Sequence, residues 1–183
     1  MQYISTRGGH LGQYSDVLLE GLAPDGGLAV PGVLPRIEAA DLEHWRGLDY
    51  ADLAAEVIGL FATDIPRDDL RRLCALAYRT DRFAIPEGGL TRVGLSEGGS
   101  LSFQDMAMQS LGEALDHVLT MNDRVLNVVG ATSGDTGSAA EHAIRGRRRI
   151  AIFMLSPRGR MSAFQRAQMY SLQDENVHNV VVD

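Results

Sequence analysis

The densest concentration of residues able to do chemistry is the run Asn127-Val128-Val129-Gly130-Ala131-Thr132-Ser133-Gly134-Asp135-Thr136-Gly137-Ser138. An apolar stretch of strand character passes into a turn of hydroxyls and glycines, and a helix follows at once. Backbone amides and the positive end of a helix dipole then converge at the carboxyl edge of a sheet, an arrangement that attracts phosphate or carboxylate groups. The glycines are spaced neither as the dinucleotide fingerprint nor as a P-loop, since no Gly-Lys-Ser/Thr is present. The plainer alternative is an ordinary strand-to-helix turn in which Asp135 caps the helix.

Two further segments carry polar groups into helices. Gly98-Gly99-Ser100-Leu101-Ser102-Phe103-Gln104-Asp105 reads, on its own residues, as a helix entry capped by Ser102 or Asp105. Leu155-Ser156-Pro157-Arg158-Gly159-Arg160-Met161-Ser162-Ala163-Phe164-Gln165 sets Arg158 and Arg160 in a turn after a strand, where guanidinium forks hold phosphate or carboxylate bidentately. By contrast, Arg145, Arg147, Arg148 and Arg149 lie at the other end of the sheet and read as a solvated helix C-terminus. His10, His44, His117, His142 and His178 lack ligand spacing, and the single Cys74 excludes a multi-cysteine zinc site, so no metal centre is expected. All 17 basic residues are arginines. Arginine stays protonated and is no amine nucleophile, so this chain by itself cannot form a lysine Schiff base.

The elements that must position these segments change character along the chain. Gly8-Gly9, Pro24-Asp25-Gly26-Gly27, Pro31-Gly32 and Pro35 break the first forty residues into loops and short strands. Helical spacing of Leu53, Val57, Ile58, Leu60 and Phe61 predicts a helix over 50–62, weakened by Gly59. A second is expected with Asp64 as N-cap, Pro66 near the first turn and Leu70, Leu73, Cys74 and Ala77 as its buried stripe. The pattern dissolves between Arg79 and Gly99, which separates an N-terminal region, 1–85, from a second region, 86–183. There a helix over 105–119, a strand over 125–130, a helix over 136–144, a strand over 150–155, a helix over 163–172 and a strand over 177–182 alternate. The expected class is α/β, an irregular and helical N-terminal region followed by a β-α-β-α-β parallel-sheet portion. Val180-Val181-Val182 reads as a strand buried on both faces, which implies a partner chain or further polypeptide over that edge.

With 45% hydrophobic and 22% charged residues, the chain has the composition of a soluble globular protein, which excludes disorder, collagen and coiled coil. A net charge of -7 without a basic track argues against nucleic acid as a partner. No apolar run reaches the roughly 18 residues of a membrane span, and polar Gln2, Ser5, Thr6 and Arg7 follow Met1 in place of a signal peptide's apolar region. A reducing, cytoplasmic location is the expectation.

Ser5-Thr6-Arg7-Gly8, Gly21-Leu22-Ala23-Pro24-Asp25-Gly26-Gly27-Leu28, Ala131 to Ala140, Pro157 to Gln165 with Gln168-Met169, and Asn176-Val177-His178 together resemble the front part of the threonine synthases, fold-type II pyridoxal-phosphate enzymes. The resemblance runs from Tyr3 to the end of the chain. It implies the family reaction, conversion of O-phospho-L-homoserine and water to L-threonine and phosphate, with pyridoxal phosphate as electron sink and a lysine carrying the Schiff base and the proton transfers. In the family that lysine lies in a segment resembling His/Asn-Gly-Pro-Thr-Leu-Ala-Phe-Lys-Asp. The aligned run Glu97-Gly98-Gly99-Ser100-Leu101-Ser102-Phe103-Gln104-Asp105 puts Gln104, which is not competent, on the lysine position. The resemblance further assigns Phe103, Asp105 and Asp135 to the cofactor side. It assigns Ser100, Thr132, Ser133, Gly134 and Thr136 to the substrate, with Ser156, Arg158 and Arg160 facing its phosphate. The family's phosphate cradle for the cofactor and its partner for the pyridine nitrogen lie in later sequence. The chain is therefore expected to be a threonine synthase-like protein that holds no cofactor covalently and is catalytically inactive. The alternative is a non-enzymatic truncated paralogue that binds an anion or a partner chain.

Overall fold

Turn-forming residues every few positions keep the first strands to three residues each. In this computed structural model, which describes residues 1–79, 94–96 and 98–183, the chain divides into two units, Met1–Leu76 and Ala77–Asp183. The 85/86 boundary expected from the sequence, and Glu97, lie outside the described residues.

In the first unit, β1 (Tyr3–Ser5), β2 (His10–Gly12) and β3 (Ala29–Pro31) form an antiparallel sheet in the order β2-β1-β3. Two short helices are present besides: α1 (Tyr14–Glu20) occupies what the sequence reads as loop, and α2 (Ala39–Trp45) lies mostly beyond the first forty residues, ahead of the helix expected from residue 50. Each starts on a capping box: the Gln13 amide donates to Asp16 Oδ2 and the Glu38 amide to Asp41 Oδ2, both at 2.9 Å. α3 (Tyr50–Gly59) is capped by Asp49, whose carboxylate accepts from the Asp52 amide at 2.8 Å. α4 (Arg67–Ala77) buries Leu70, Leu73 and Cys74 as its spacing predicts. Asp64 does not cap it. Pro66 holds the cap position, its carbonyl accepting from the Leu70 amide, while the Asp64 carboxylate accepts from the Ser15 amide at 2.9 Å and so ties α1 to the α3–α4 connection. Beside β1, Ser5 Oγ and the Gly27 amide both donate to Asp25 Oδ1, at 2.6 and 2.9 Å. A Cβ at Gly27 would run into Ser5 Oγ and lie 3.0 Å from Asp25 Oδ1, so only glycine fits there.

The second unit alternates helix and strand as expected: α5 (Asp105–Met121), β4 (Leu126–Ala131), α6 (Asp135–Ile144), β5 (Ile150–Pro157), α7 (Ala163–Tyr170) and β6 (Val177–Val182). The strands form a parallel sheet in the order β4-β5-β6, in register Val128↔Ile152 and Ile152↔Val177. β5 alternates strictly, burying Ile150, Ile152, Met154 and Ser156 on one face. On the other face Phe153 stacks on His178 with ring centroids 4.5 Å apart. α5 and α6 cross where Gly112 meets Ala143; a Cβ at Gly112 would lie 2.7 Å from the Ala143 carbonyl oxygen. Between these helices and β4 a mostly apolar cavity of ≈ 240 Å³ is lined by Met108, Leu115, Val128, Ala140, Ile144 and Met154, among others. The expectation that Val180, Val181 and Val182 are buried on both faces is corrected: they are 43%, 41% and 37% exposed. β6 pairs with β5 on one side and forms an edge of the sheet, so its valines lack the second neighbour that a buried parallel strand has. Among the described residues no helix is long and apolar enough to cross a membrane.

Candidate functional site

The turn that joins β4 to α6 is organised by one hydroxyl. The Thr132 amide donates to the Leu155 carbonyl at 2.9 Å, extending the β4–β5 pairing by one residue and fixing where the side chain stands. Thr132 Oγ1 then accepts from the amides of Gly134 and Gly137, each at 3.1 Å. Two of the amides that the sequence offered to an anion are thus satisfied internally. Asp135 and Thr136, the first residues of α6, have no carbonyl one turn earlier, so their amides keep the donor capacity of a helix start. Ser133, Asp135 and Thr136 are exposed around them. Gly137 must be glycine for the cap to form, because a Cβ would press on Thr132 Cγ2 and lie 2.7 Å from its Cβ and 2.9 Å from its Oγ1.

The segment before α5 is built as a second polar knot. Asp105 is fully buried, Oδ2 accepting from the Ser100 amide at 2.9 Å and Oδ1 from Ser100 Oγ at 2.8 Å. Asp105 therefore folds the chain back on Ser100, and Gly98 is glycine because a Cβ there would strike the Asp105 carboxyl group. Gln104 stands in the cap position of α5 with its amide oxygen against Ser102 Oγ. Phe103 is exposed.

α7 connects the two. Its start is a capping box of Ser162 and Gln165. Gln165 Nε2 donates to Asp135 Oδ1 at 2.8 Å, and Gln168 Nε2 donates to the Ser100 carbonyl at 2.6 Å. Three residues apart, these glutamines share one face of α7, which holds the turn with one and the Ser100 loop with the other. Their positioning role was not read from the sequence, although the Ser-x-x-Gln box was a readable sign of the α7 start.

Other expected residues are placed differently. Ser156 is fully buried, with its hydroxyl 2.7 Å from Tyr170 Oη, so it is engaged between sheet and α7. Arg158 pairs with Asp183 through Nε, and its amide donates to the Val182 carbonyl at 2.8 Å. Arg160 is exposed in the β5–α7 turn. At the opposite end of the sheet, Arg145 pairs with Asp174 at 2.9 Å and Arg147 with Glu113 at 2.8 Å; the expectation of a solvated helix C-terminus is corrected at Arg147, whose side chain is mostly buried between Glu113 and the Ala143 carbonyl.

The arrangement can present two helix-start amides and two hydroxyls to an anion, with the Asp135 carboxylate opposing. Residues 2–78 match the family model for the threonine synthase N terminus. Across 197 aligned residues that include the whole chain, identity to the threonine synthase of Corynebacterium glutamicum is 47%, over 41% of that protein. Among solved structures, 98% of the chain superposes on 40% of the PLP-bound threonine synthase from Brucella melitensis, at TM-score 0.86 and 39% identity. The same share superposes on 40% of the yeast threonine synthase, at TM-score 0.85 and 32% identity. The chain spans less than half the length of these relatives. Sequence likeness along its whole length and a shared backbone lead to one conclusion: the chain matches the amino-terminal part of the threonine synthases.

Proposed function

We propose that this chain is a threonine synthase-like protein of the fold-type II class that does not itself convert O-phospho-L-homoserine to threonine and phosphate, and whose Thr132–Gly137 turn retains weak anion affinity. The observation that carries the reading is Gln104 at the position the family fills with its Schiff-base lysine, in a chain with no lysine at all. When bound, pyridoxal phosphate supplies an electron sink for carbanions formed next to its imine. The residues present do not fit a covalently held cofactor. Gln104 offers a carboxamide already engaged with Ser102, and the Met1 ammonium donates to Thr63 Oγ1 in the first unit. A carboxamide is neither basic nor able to condense with an aldehyde, so both roles of the lysine are lost together.

For the anion, the donors are the Asp135 and Thr136 amides with the Ser133 and Thr136 hydroxyls, on a side of the turn open to solvent. Each charge-assisted hydrogen bond there is worth no more than about 1.5–3 kcal/mol, which sets affinity at roughly millimolar strength. A partner-binding role is the second reading, favoured by the exposed valines of edge strand β6.

Borohydride reduction after incubation with pyridoxal phosphate, followed by intact mass measurement, tests the catalytic half of this reading. The expected result is no stoichiometric pyridoxyl adduct and no phosphate release from O-phospho-L-homoserine; an adduct at high occupancy or measurable turnover refutes it. Titration with phosphate, followed by amide shifts, tests the other half. Movement of Ser133, Asp135 and Thr136 is expected, whereas movement confined to Arg145–Arg149 reduces the turn to a structural element.

A further inference from the structure

The cavity of ≈ 240 Å³ between α5, α6 and β4 is kept open by small residues, Gly130 on β4 and Gly137, Ala140 and Ala143 on α6. The tip of Met154 rests over Gly130, where a Cβ would lie 3.0 Å from both Sδ and Cε. Met108 stands in the α5 wall, so two of the longer lining side chains are flexible thioethers that can adapt to an occupant. Leu111, Ala131 and Thr136 are exposed lining residues and mark the mouth.

The chemistry of the walls selects what can enter. No lining residue carries a charge. Of the two hydroxyls, Thr136 stands at the mouth, and Thr132 Oγ1 is already engaged, accepting from the Gly134 and Gly137 amides and donating to the Gly134 carbonyl at 3.3 Å. A buried water needs two to four polar partners, which these side chains do not supply. Size narrows the choice further. An apolar cavity of about 150 Å³ stays dry and takes up benzene, whereas sites for drug-sized ligands begin at about 300 Å³. The space here therefore suits one ring with a short substituent. Methionine sulfur favours a ring over a branched alkane, because a thioether packs against a ring edge with its sulfur about 5 Å away.

We propose that this cavity is a binding site for a small uncharged aromatic molecule, held by dispersion from its aliphatic walls and by the sulfurs of Met108 and Met154. Binding is non-covalent and draws on none of the turn's amides, so it stands apart from the anion affinity proposed above. Thr132 and Gly137 nevertheless belong both to the cavity wall and to the cap of the β4–α6 turn. An occupant that supports them steadies the cap, which ties the filling of the cavity to the order of the turn.

The test uses the full chain, with toluene as the probe. In methyl NMR the ε-methyl signals of Met108 and Met154 should move upfield and saturate, with half-saturation at about 1 mM or below, while the signal of Met121, 73% exposed, stays in place. Nuclear Overhauser transfer from the ring protons to both methionine methyls should place the ligand inside without recourse to any variant. Benzoate, the same ring with a charge, should bind at least tenfold more weakly, and phosphate should not displace toluene. Ala140→Leu fills the space and should weaken toluene binding by at least tenfold. At saturation, exchange of the Gly134 and Gly137 amides should slow. Shifts that do not saturate or that Met121 shares, absence of the transfers, benzoate binding as tightly as toluene, displacement by phosphate, or a folded Ala140→Leu protein that binds like the parent would each overturn the site. Unchanged exchange of the two glycine amides would overturn its link to the turn.

Discussion

Replacing Gly137 with alanine probes the cap that shapes the β4–α6 turn. The added methyl would lie 2.7 Å from Thr132 Cβ and 2.9 Å from its Oγ1, well inside contact distance. Thr132 is β-branched and short, and its amide is fixed to Leu155, so it can yield only by rotating. Rotation takes Oγ1 away from the Gly134 and Gly137 amides, a loss of about 1–2 kcal/mol on the scale of helix N-caps. Residual overpacking adds about 1–3 kcal/mol. Alanine's better helix propensity returns about 1 kcal/mol, so the net destabilisation is about 1–4 kcal/mol. Urea unfolding should show a lower midpoint at unchanged slope. Thr132→Val, which keeps the volume and removes the acceptor, should lose about 1–2 kcal/mol. Because both changes abolish the same cap, the double variant should lose less than the sum, with a coupling of about 1 kcal/mol. A Gly137→Ala protein as stable as the parent, or strict additivity with Thr132→Val, would refute the reasoning.

Arg147 donates through Nε to the Ala143 carbonyl at 2.7 Å and pairs with Glu113 at 2.8 Å, both side chains being mostly buried. Arg147→Ala should destabilise by about 2–3 kcal/mol because Glu113 is left uncompensated; a neutral result in a thermal or urea melt would show the pair to be dispensable. In the first unit, hydrogen bonds from Ser5 and the Gly27 amide hold the Asp25 carboxyl below its ordinary range. A lowered folded value means stabilisation that is present above the unfolded value and lost as pH falls through the folded one. Asp25→Asn should therefore flatten the acid limb of the stability profile below about pH 4, and an unchanged limb would rule this origin out.

The alternating second unit was legible because each β-α-β step is local and each helix has a stripe to bury. β4 at 126–131 and α7 at 163–170 differ from the readings of 125–130 and 163–172 by only one or two residues at their ends. α1 and α2 left no such trace: neither contains a buried residue, and their caps, Gln13 and Glu38, are outside the residue types favoured there. The passage from β4 to α6 was legible as a strand-to-helix turn but its geometry was not, since one hydroxyl satisfying two amides depends on the backbone path between them. Ser156 was within reach of simple counting. Ile150, Ile152 and Met154 define the buried parity of β5, and Ser156 continues it, yet the motif drew attention to its hydroxyl instead. Gln165 and Gln168 carry their meaning through segments thirty or more residues away, which no local pattern encodes.

The order β4-β5-β6 across the sheet is also the order in which the strands leave a ribosome. Each new strand therefore finds its template already made: β5 can dock on β4 once α6 has formed, and β6 on β5 once α7 has. No strand waits to be inserted between two earlier ones, so the slow search typical of non-local pairing is divided into short successive closures. The same geometry leaves the newest strand unpaired on its outer side at every stage, where a second nascent chain can add as readily as the chain's own continuation. Val180, Val181 and Val182 keep that stickiness after synthesis of this stretch is complete, so crowding of nascent chains on one message should influence the yield of folded protein more than the sheet's final stability does.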